Sequence, residues 1–386
     1  MLPYHGNSIG YVDIFSHMMY NFKKAKEGLH IMKFKPLLLS GVLLLSLSAC
    51  SEKNASEAPP EIEASTNTVS ANQPAVSGTP LANSMTAKEK SNTAFRDLTL
   101  LDSDAASKIG TNLDKWTFVQ YDTESIKDSI NELKIYDEEL DTNFLAHIIL
   151  PPDYDSAQTY PVFFISDGVW WLGEVPAMWN TIKNGEAEPV IFVTLSYDYD
   201  TDPTTDETRV DKFILNQDKT LDFITNNLMP YVSEQYSINC KDSTFFGHSC
   251  GGLFSHYALC MSDQYENQPF GKYIIGSPVF WAYYMVTDSD DVTDKYPYLS
   301  DFGYWERNTA MNKKVFLCAG EFEDSDYREM FNGHESTTEG VQALYDRFVS
   351  HGVMVTKKLY PANHIQFMPD MFKDYIRMEY PVNALR

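Results

Sequence analysis

The chain has 386 residues with 30 Lys and Arg against 54 Asp and Glu, which gives a formal net charge of -24. Hydrophobic residues make up 43% and aromatic residues 14%, so the chain as a whole is not intrinsically disordered, because disorder requires low hydrophobicity together with high charge. The charge balance also excludes nucleic acid as a partner, because phosphate binding needs clusters of Lys and Arg, which the body of the chain lacks.

The N-terminal region has the pattern of an export signal. Met32-Lys33-Phe34-Lys35 is a basic start, and the apolar run 36–49 that follows is shorter than the roughly 20 residues of a membrane span. Leu47-Ser48-Ala49-Cys50 resembles the bacterial lipobox, in which the Cys is lipidated and becomes the mature N-terminus. We expect residues 1–31 to be a mis-assigned upstream extension and 32–49 a lipoprotein signal peptide; an ordinary signal peptide or a buried helix is the alternative.

These features also predict where the protein is located and where its folded domain begins. Residues 50–94 contain four prolines and no aromatic residue, so we expect a flexible tether, since such a segment cannot bury enough apolar surface to fold. A lipid on Cys50 would anchor the protein outside the inner membrane, and Ser51 favours the outer membrane, with the protein on its periplasmic or surface face. The folded domain is then 95–386.

Four cysteines remain in the folded domain: Cys240, Cys250, Cys260 and Cys318. Disulfides are permitted outside the inner membrane, but no pairing follows from these spacings. None of the four has CxxC or CxxH spacing, so we expect no structural metal site. The oligomeric state does not follow from the sequence.

From about residue 115 onward, short apolar segments alternate with helical ones. The predicted strands are Asn143–Leu150, Pro161–Ser166, Pro189–Ser196, Ser243–Phe246, Tyr273–Gly276, Val315–Ala319 and Met354–Tyr360. The predicted helices are Asn216–Glu234, Gly251–Met261, Thr337–His351 and a last one after Met368. This alternation predicts an α/β fold with a mostly parallel sheet covered by helices on both faces. Ligands of such sheets bind at the carboxyl ends of the strands.

The segment Gly247-His248-Ser249-Cys250-Gly251 matches G-x-S-x-G between a predicted strand and a predicted helix. In this context the motif is a nucleophile elbow, in which the Ser hydroxyl projects above the sheet from a strained turn. Side chains two residues before or after the Ser would clash, which explains Gly247 and Gly251. Ser249 is therefore the candidate nucleophile. The alternative is a glycine-rich turn with an unreactive Ser.

A serine hydroxyl needs a base within hydrogen-bonding distance. The folded domain has six histidines: His147, His248, His256, His334, His351 and His364. We expect His147 and His256 to be packing or surface residues inside their elements, His334 and His351 to be solvated, and His248 to point away from Ser249. His364 follows the last predicted strand, the position of the base in the chain order Ser, acid, His. It is the candidate base.

The acid that orients the base should follow the preceding strand. Gly320-Glu321-Phe322-Glu323-Asp324-Ser325-Asp326 occupies that place, and Glu323, three residues after the Gly, is favoured. Glu321, Asp324 and Asp326 remain alternatives, and the whole segment would also fit a solvated acidic loop.

Acyl transfer needs two backbone N–H groups directed at the tetrahedral oxygen. One is expected from Cys250, and the other from Val169 in the Asp167-Gly168-Val169 turn that follows a predicted strand. Trp170 and Trp171 directly follow this turn. We expect them, together with Trp281, to line the mouth of the substrate pocket; the alternative is that the tryptophans belong to the core.

Together these segments resemble the putative-esterase family of α/β-hydrolases, which includes esterase D, enterobactin-esterase-like enzymes, feruloyl esterases and mycolyltransferases. The resemblance covers roughly 130–380 and depends on LPPDY at 150–154, YPVFFISDG at 160–168, GHSCGG at 247–252, SPVFW at 277–281 and GEFE at 320–323. It implies an α/β-hydrolase fold and hydrolysis of carboxylic esters by a serine esterase without a metal or cofactor.

Three hypotheses about function follow. The first is a lipid-anchored serine esterase that forms an acyl-enzyme on Ser249, with a small-molecule ester as substrate. The second is an acyltransferase on the same fold, and the third a non-catalytic binding lipoprotein. The resemblance leaves siderophore, feruloyl and short acyl esters open. A ferric catecholate is trianionic and would need an Arg near the pocket, for which Arg209 and Arg307 are the candidates.

Overall fold

A computed structural model describes residues 95–111, 113, 123–197, 206–286, 301–331 and 333–382. The predicted upstream extension 1–31, the signal at 32–49, the lipidation candidate Cys50 and the whole tether therefore lie outside the described residues. Within the described residues, no helix is long and apolar enough to cross a lipid bilayer.

The centre of the fold is one eight-stranded sheet with the order β1-β2-β4-β3-β5-β6-β7-β8. β1 and β2 are antiparallel to their neighbours, and the other six strands are parallel. The strands are β1 Ile130–Asp137, β2 Thr142–Ile149, β3 Val162–Ile165, β4 Ile191–Tyr197, β5 Thr244–His248, β6 Lys272–Gly276, β7 Lys314–Gly320 and β8 Met354–Tyr360. All seven predicted strands are present within one or two residues at each end, and β1 was missed.

The α-helices are α1 Ser103–Ala106, α2 Gly168–Trp171, α3 Val175–Lys183, α4 Asp206–Val210, α5 Gln217–Phe223, α6 Met229–Gln235, α7 Cys250–Met261, α8 Ala282–Val286, α9 Tyr304–Arg307, α10 Asp324–Tyr327, α11 Thr337–Ser350 and α12 Met368–Glu379. The predicted helix Asn216–Glu234 is interrupted by a π-helical turn at Ile224–Leu228, and another π-helical turn, Asp211–Leu215, precedes it. A seven-residue 3-10 helix spans Thr123–Ser129, and single 3-10 turns occur at Leu172–Glu174, Cys240–Asp242 and Ser262–Gln264. α3 was not predicted.

Each face of the sheet has its own apolar core. α7 and α11 pack on one face, and α3 and α12 pack on the other. Burial on both faces explains why the central strands are almost continuously apolar. All described residues of β3, β4 and β5 are buried.

The parallel strands bring the predicted site residues to one edge of the sheet. β3, β5, β7 and β8 end shortly before Asp167, Ser249, Glu323 and His364, respectively. Because the carboxyl ends of parallel strands lie at the same edge, this arrangement creates the candidate active site.

Candidate active site

Ser249 lies between β5 and α7 in a strained backbone conformation, with φ 60° and ψ -120°. Non-glycine residues held in such regions cost about 1–3 kcal/mol and are concentrated at functional sites. The turn needs Gly247, because a Cβ there would lie 1.8 Å from the backbone oxygen of Gly251. A Cβ on Gly252 would lie 2.4 Å from the oxygen of Gly276, so α7 packs directly against the end of β6. Ser249 occupies the N-cap position of α7, where developing negative charge is favoured.

The candidate base and the favoured acid are hydrogen-bonded to each other. Nδ1 of His364 lies 2.6 Å from Oε2 of Glu323, and both side chains are buried. β7 and β8 are parallel neighbours, so the loops that follow them meet. With Nδ1–H donating to the carboxylate, Nε2 is the nitrogen that can accept a proton.

Burial dominates the electrostatics of this pair. It lowers the pKa of His364, and the nearby Arg209 cation lowers that pKa further. Burial also raises the pKa of Glu323. A low His364 pKa keeps the imidazole neutral at neutral pH, which is the form that a general base needs.

The other acids of the loop have different surroundings. Asp324 accepts hydrogen bonds from the Ser336 hydroxyl at 2.8 Å and from the Thr338 backbone N–H at 3.1 Å. It therefore ties α10 to the N-terminus of α11. Asp326 accepts a bond of 3.3 Å from the Asn363 amide, and Glu321 is exposed. Among the four candidates, Glu323 is the one with a hydrogen bond to His364 in the described residues.

The Asp167-Gly168-Val169 turn lies beside the start of α7. A Cβ on Gly168 would lie 2.6 Å from Ser196 Oγ, so this position has no room for a side chain. A Cβ on Gly251 would lie 3.8 Å from Asp167 Cβ. Val169 belongs to the first turn of α2 and Cys250 to the first turn of α7. The first N–H groups of a helix have no acceptor within the helix, which suits both residues to the role predicted for them.

Two of the three predicted pocket tryptophans are core residues. Trp171 is 2% exposed and packs edge-on against the His248 ring at 5.1 Å. Trp281 is 1% exposed, and its Nε1 donates to the Thr337 hydroxyl at 3.2 Å. The expectation that they line the pocket mouth is therefore corrected, because apolar burial on the two faces of the sheet determines their positions. Trp170 is half-buried.

Sequence reasoning missed the role of His248. Its Nε2 lies 2.9 Å from the backbone oxygen of His364, and the two rings lie 4.5 Å apart. Because a carbonyl only accepts, His248 Nε2 carries the proton and donates. Burial lowers the pKa of His248 well below its usual value, which keeps the ring neutral. The residue before the nucleophile thus holds the loop of the candidate base.

The two candidate arginines lie in different places. Arg209 Nε lies 2.7 Å from Asp167 Oδ2, and both side chains are buried. Arg307 binds Asp263 at the opposite end of α7, with Nε 2.9 Å from Oδ2. Only Arg209 is therefore associated with the candidate site.

The four cysteines of the domain are free thiols, and Cys250, Cys260 and Cys318 are buried. No disulfide therefore contributes to the described fold.

Comparison with known proteins identifies the family. Residues 138–366, more than half of the chain, match the family model described as "Putative esterase". The chain belongs to the putative esterase family. This membership confirms the predicted resemblance and, together with the eight-stranded sheet, the predicted α/β-hydrolase fold.

One curated relative of this esterase family member is the ferri-bacillibactin esterase BesA of Bacillus subtilis (strain 168). The two are 29% identical over 157 residues, which cover 37% of this chain and 50% of BesA. The matched segment thus spans half the length of the curated relative.

Two solved structures have the same fold. The BES protein from Bacillus cereus has a TM-score of 0.52 and 20% identity, over 71% of this chain and 100% of that one. The siderophore hydrolase EstA from Aspergillus nidulans has a TM-score of 0.51 and 15% identity, over 65% and 93% of the two chains. At these identities the likeness shows the fold alone, while family membership supports ester hydrolysis.

Proposed function

We propose that this protein is a serine carboxylic-ester hydrolase in which Ser249 is the nucleophile, His364 the base and Glu323 the acid. The observation that carries the proposal is the 2.6 Å contact between His364 Nδ1 and Glu323 Oε2. The strained turn at Ser249 supports it as well. His248 directly precedes Ser249, and its ring is in contact with the ring of His364, so the turn and the candidate base lie together. Membership of an esterase family agrees with this chemistry.

In the first half-reaction, Ser249 Oγ attacks the ester carbonyl carbon while His364 Nε2 takes the hydroxyl proton. The C–O bond to the alcohol then breaks, and the imidazolium returns the proton to the leaving alkoxide. This step leaves an acyl-enzyme and releases the alcohol. In the second half-reaction, water attacks the acyl carbon, His364 takes the water proton and passes it to Ser249, and the carboxylic acid leaves.

The oxyanion of each tetrahedral intermediate needs preorganised donors. The backbone N–H groups of Val169 and Cys250 fit this role, since both belong to first turns of helices at the same edge of the sheet. The N-terminus of α7 adds a favourable field for negative charge. Glu323 stabilises the imidazolium that exists only while the reaction proceeds.

We infer that siderophore esters are the substrate class to test first. BesA is named as a ferri-bacillibactin esterase and EstA as a siderophore hydrolase. Feruloyl and short acyl esters are the comparison substrates, because the family resemblance covers these as well.

The decisive experiment compares Ser249→Ala with the wild-type domain, using a fluorophosphonate probe and a panel of p-nitrophenyl, feruloyl and siderophore esters. We expect kcat to fall by about 10^4–10^6-fold, as is typical for loss of a triad member, and the probe label to disappear. Ser255→Ala is the matched control, because Ser255 is a buried serine of the same helix whose hydroxyl bonds to Ile274. It should keep the label.

Each other outcome of this experiment has a defined meaning. More than a tenth of wild-type activity in Ser249→Ala would contradict the nucleophile assignment. A wild-type protein that is neither labelled nor active on any ester would be a binding protein. Transfer of the acyl group to an added alcohol in preference to water would identify an acyltransferase.

We also propose that the protein is anchored by a lipid on Cys50, outside the inner membrane and on the outer membrane. The proposal is supported by the lipobox-like Leu47-Ser48-Ala49-Cys50, with Ser51 after it. Cys50→Ser should abolish lipid labelling and detergent partitioning, while the esterase activity is unchanged. Recovery of the wild-type protein entirely in the soluble periplasmic fraction would contradict the anchor.

A further inference from the structure

Arg209 reaches the candidate oxyanion turn from α4 and contacts the residues on both sides of Gly168 and Val169. Its Nε donates to Asp167 Oδ2 at 2.7 Å, and its guanidinium carbon lies 5.1 Å from the ring centre of Trp170. Asp167 is fully buried, and Arg209 is nearly so. The Arg209 guanidinium therefore contacts the residues at both ends of this turn.

A buried ion pair is a costly way to gain stability, because the desolvation of both charges offsets most of their attraction. Such a pair needs a further physical role. Here the role is conformational. Gly168 is packed against Ser196 without room for a Cβ. The backbone N–H of Trp170 donates to the backbone oxygen of Asp167 at 3.0 Å. The backbone around Val169 is thus constrained from the strand side and from the Arg209 side.

The same cation acts on the candidate base. The groups around His364 are Glu323 and Tyr327 from the acid loop and α10, His248 from the elbow, and Arg209. Asp326 contacts the neighbouring Asn363. Of these groups, Arg209 is the fixed cation, and after burial it is the cause that lowers the pKa of His364.

We propose that Arg209 is a positioning residue for ester hydrolysis, which holds the Val169 N–H toward the oxyanion through its contacts with Asp167 and Trp170. This inference depends on the proposed function. The contribution of the Arg209 geometry can be separated from that of its positive charge. Lys keeps the charge of Arg but lacks the planar guanidinium that bonds Asp167 while stacking on Trp170.

The experiment measures the pH profile of kcat/KM for Arg209→Lys and for the double variant Asp167→Asn/Arg209→Met. The double variant removes both charges, so that neither is left buried without its partner. For Arg209→Lys we expect kcat to fall about tenfold with little change in KM, because misplaced donors act in the transition state, and the acidic limb to stay in place. For the double variant we expect a similar fall in kcat, because both contacts of Arg209 with the turn are lost, and an acidic limb that moves little, because the cation and its paired anion are removed together.

The matched control is Asp263→Asn/Arg307→Met, which removes the ion pair at the far end of α7, about 18 Å from Ser249 for a twelve-residue helix. This control should lower the Tm and leave both kcat and the acidic limb unchanged. If the Arg209 variants lose only thermal stability, as the control does, Arg209 is structural and the inference is wrong. If Ser249→Ala keeps its activity, the proposed function itself fails, and these outcomes are therefore distinguishable.

Discussion

Helix α7 has a hydroxyl group at its N-terminal end and a thiol at its C-terminal end. At each end there is also a histidine that is hydrogen-bonded to a buried carboxylate. At the N-terminal end these residues are Ser249, His364 and Glu323. At the C-terminal end they are Cys260, His256 and Asp301, whose ligand atoms lie within 4.8 Å of one another. His256 Nε2 lies 3.1 Å from Asp301 Oδ1. The residue types alone would suit nucleophilic catalysis at either end.

The surroundings of the two carboxylates differ. Arg347 donates to both oxygens of Asp301, with Nη2 2.8 Å from Oδ1, and Trp305 Nε1 donates to Oδ2 at 2.8 Å. Burial alone would raise the pKa of Asp301, but His256 and Arg347 outweigh it and lower that pKa. Glu323 makes an ion-pair contact with His364 and, in the described part of the chain, none with a Lys or Arg. In the described residues no Lys or Arg therefore competes with an imidazolium for Glu323, whereas Asp301 is already paired with Arg347.

The nucleophile candidates also differ by their place on the helix. Ser249 occupies the N-cap position, where the helix field stabilises negative charge, whereas Cys260 lies in the last turn, where the field has the opposite sign. Burial raises the pKa of Cys260 well above its usual value, and Asp301 adds to the rise. The thiol is therefore held in its unreactive form.

His256, Cys260 and Asp301 are also of the residue types that bind metal ions. However, both oxygens of Asp301 accept hydrogen bonds from protein donors, and the Arg347 guanidinium would repel a metal cation. We therefore interpret this cluster as a structural contact that connects α7 with α11 and with the segment before α9. The two His–carboxylate pairs thus differ in their place relative to the sheet edge and in the presence of a fixed Arg partner, and these differences favour the Glu323 pair as the reactive one.

The largest expected contrast is between the two histidines. His364→Ala should lower kcat by about 10^4–10^6-fold, because Ser249 would have no base. His256→Gln should leave kcat within about threefold and lower the Tm, because it disturbs a buried network away from the reacting atoms. Steady-state kinetics and thermal unfolding of both variants test this contrast. A normal rate in His364→Ala would move the base to another histidine.

The two carboxylates should separate in the same way. Glu323→Gln should lower kcat by about 10^2–10^4-fold with little change in KM, because the carboxylate stabilises an imidazolium formed only during reaction. Asp301→Asn should instead cost about 1–3 kcal/mol of unfolding free energy, since it weakens hydrogen bonds to a charged group. If Glu323→Gln stays within about threefold of wild type, the enzyme works as a Ser249–His364 dyad.

The sequence predicted the features that depend on local pattern. The parallel strands were predicted because burial on both faces makes them continuously apolar, and the strained turn at Ser249 was predicted because it requires glycine at fixed positions. β1 was missed because it is an edge strand with a mixed pattern of half-buried residues. The positions of Trp171 and Trp281 and the contact of His248 with His364 depend on packing between distant segments, which no local pattern encodes.

The His248 contact gives a smaller test. His248→Phe removes the donor to the His364 carbonyl, and an unsatisfied buried acceptor costs about 1–3 kcal/mol. We expect kcat to fall roughly tenfold, because the base is held less firmly in its position. His248→Gln keeps an N–H donor and should recover part of the rate. Equal rates for the two variants would show that the hydrogen bond does not position His364.

The smallest expected effect on activity concerns the acid next to Glu323. Asp324 accepts hydrogen bonds from Ser336 and Thr338 at the start of α11, so Asp324→Asn should cost about 1 kcal/mol of stability, as loss of a helix cap does. Its kcat should stay within about threefold of wild type, because the carboxylate is directed at a helix terminus and not at His364. Glu321→Gln, an exposed change in the same loop, is the control for both stability and rate. A severe loss of kcat in Asp324→Asn with normal activity in Glu323→Gln would show that the acid lies one residue further along the loop.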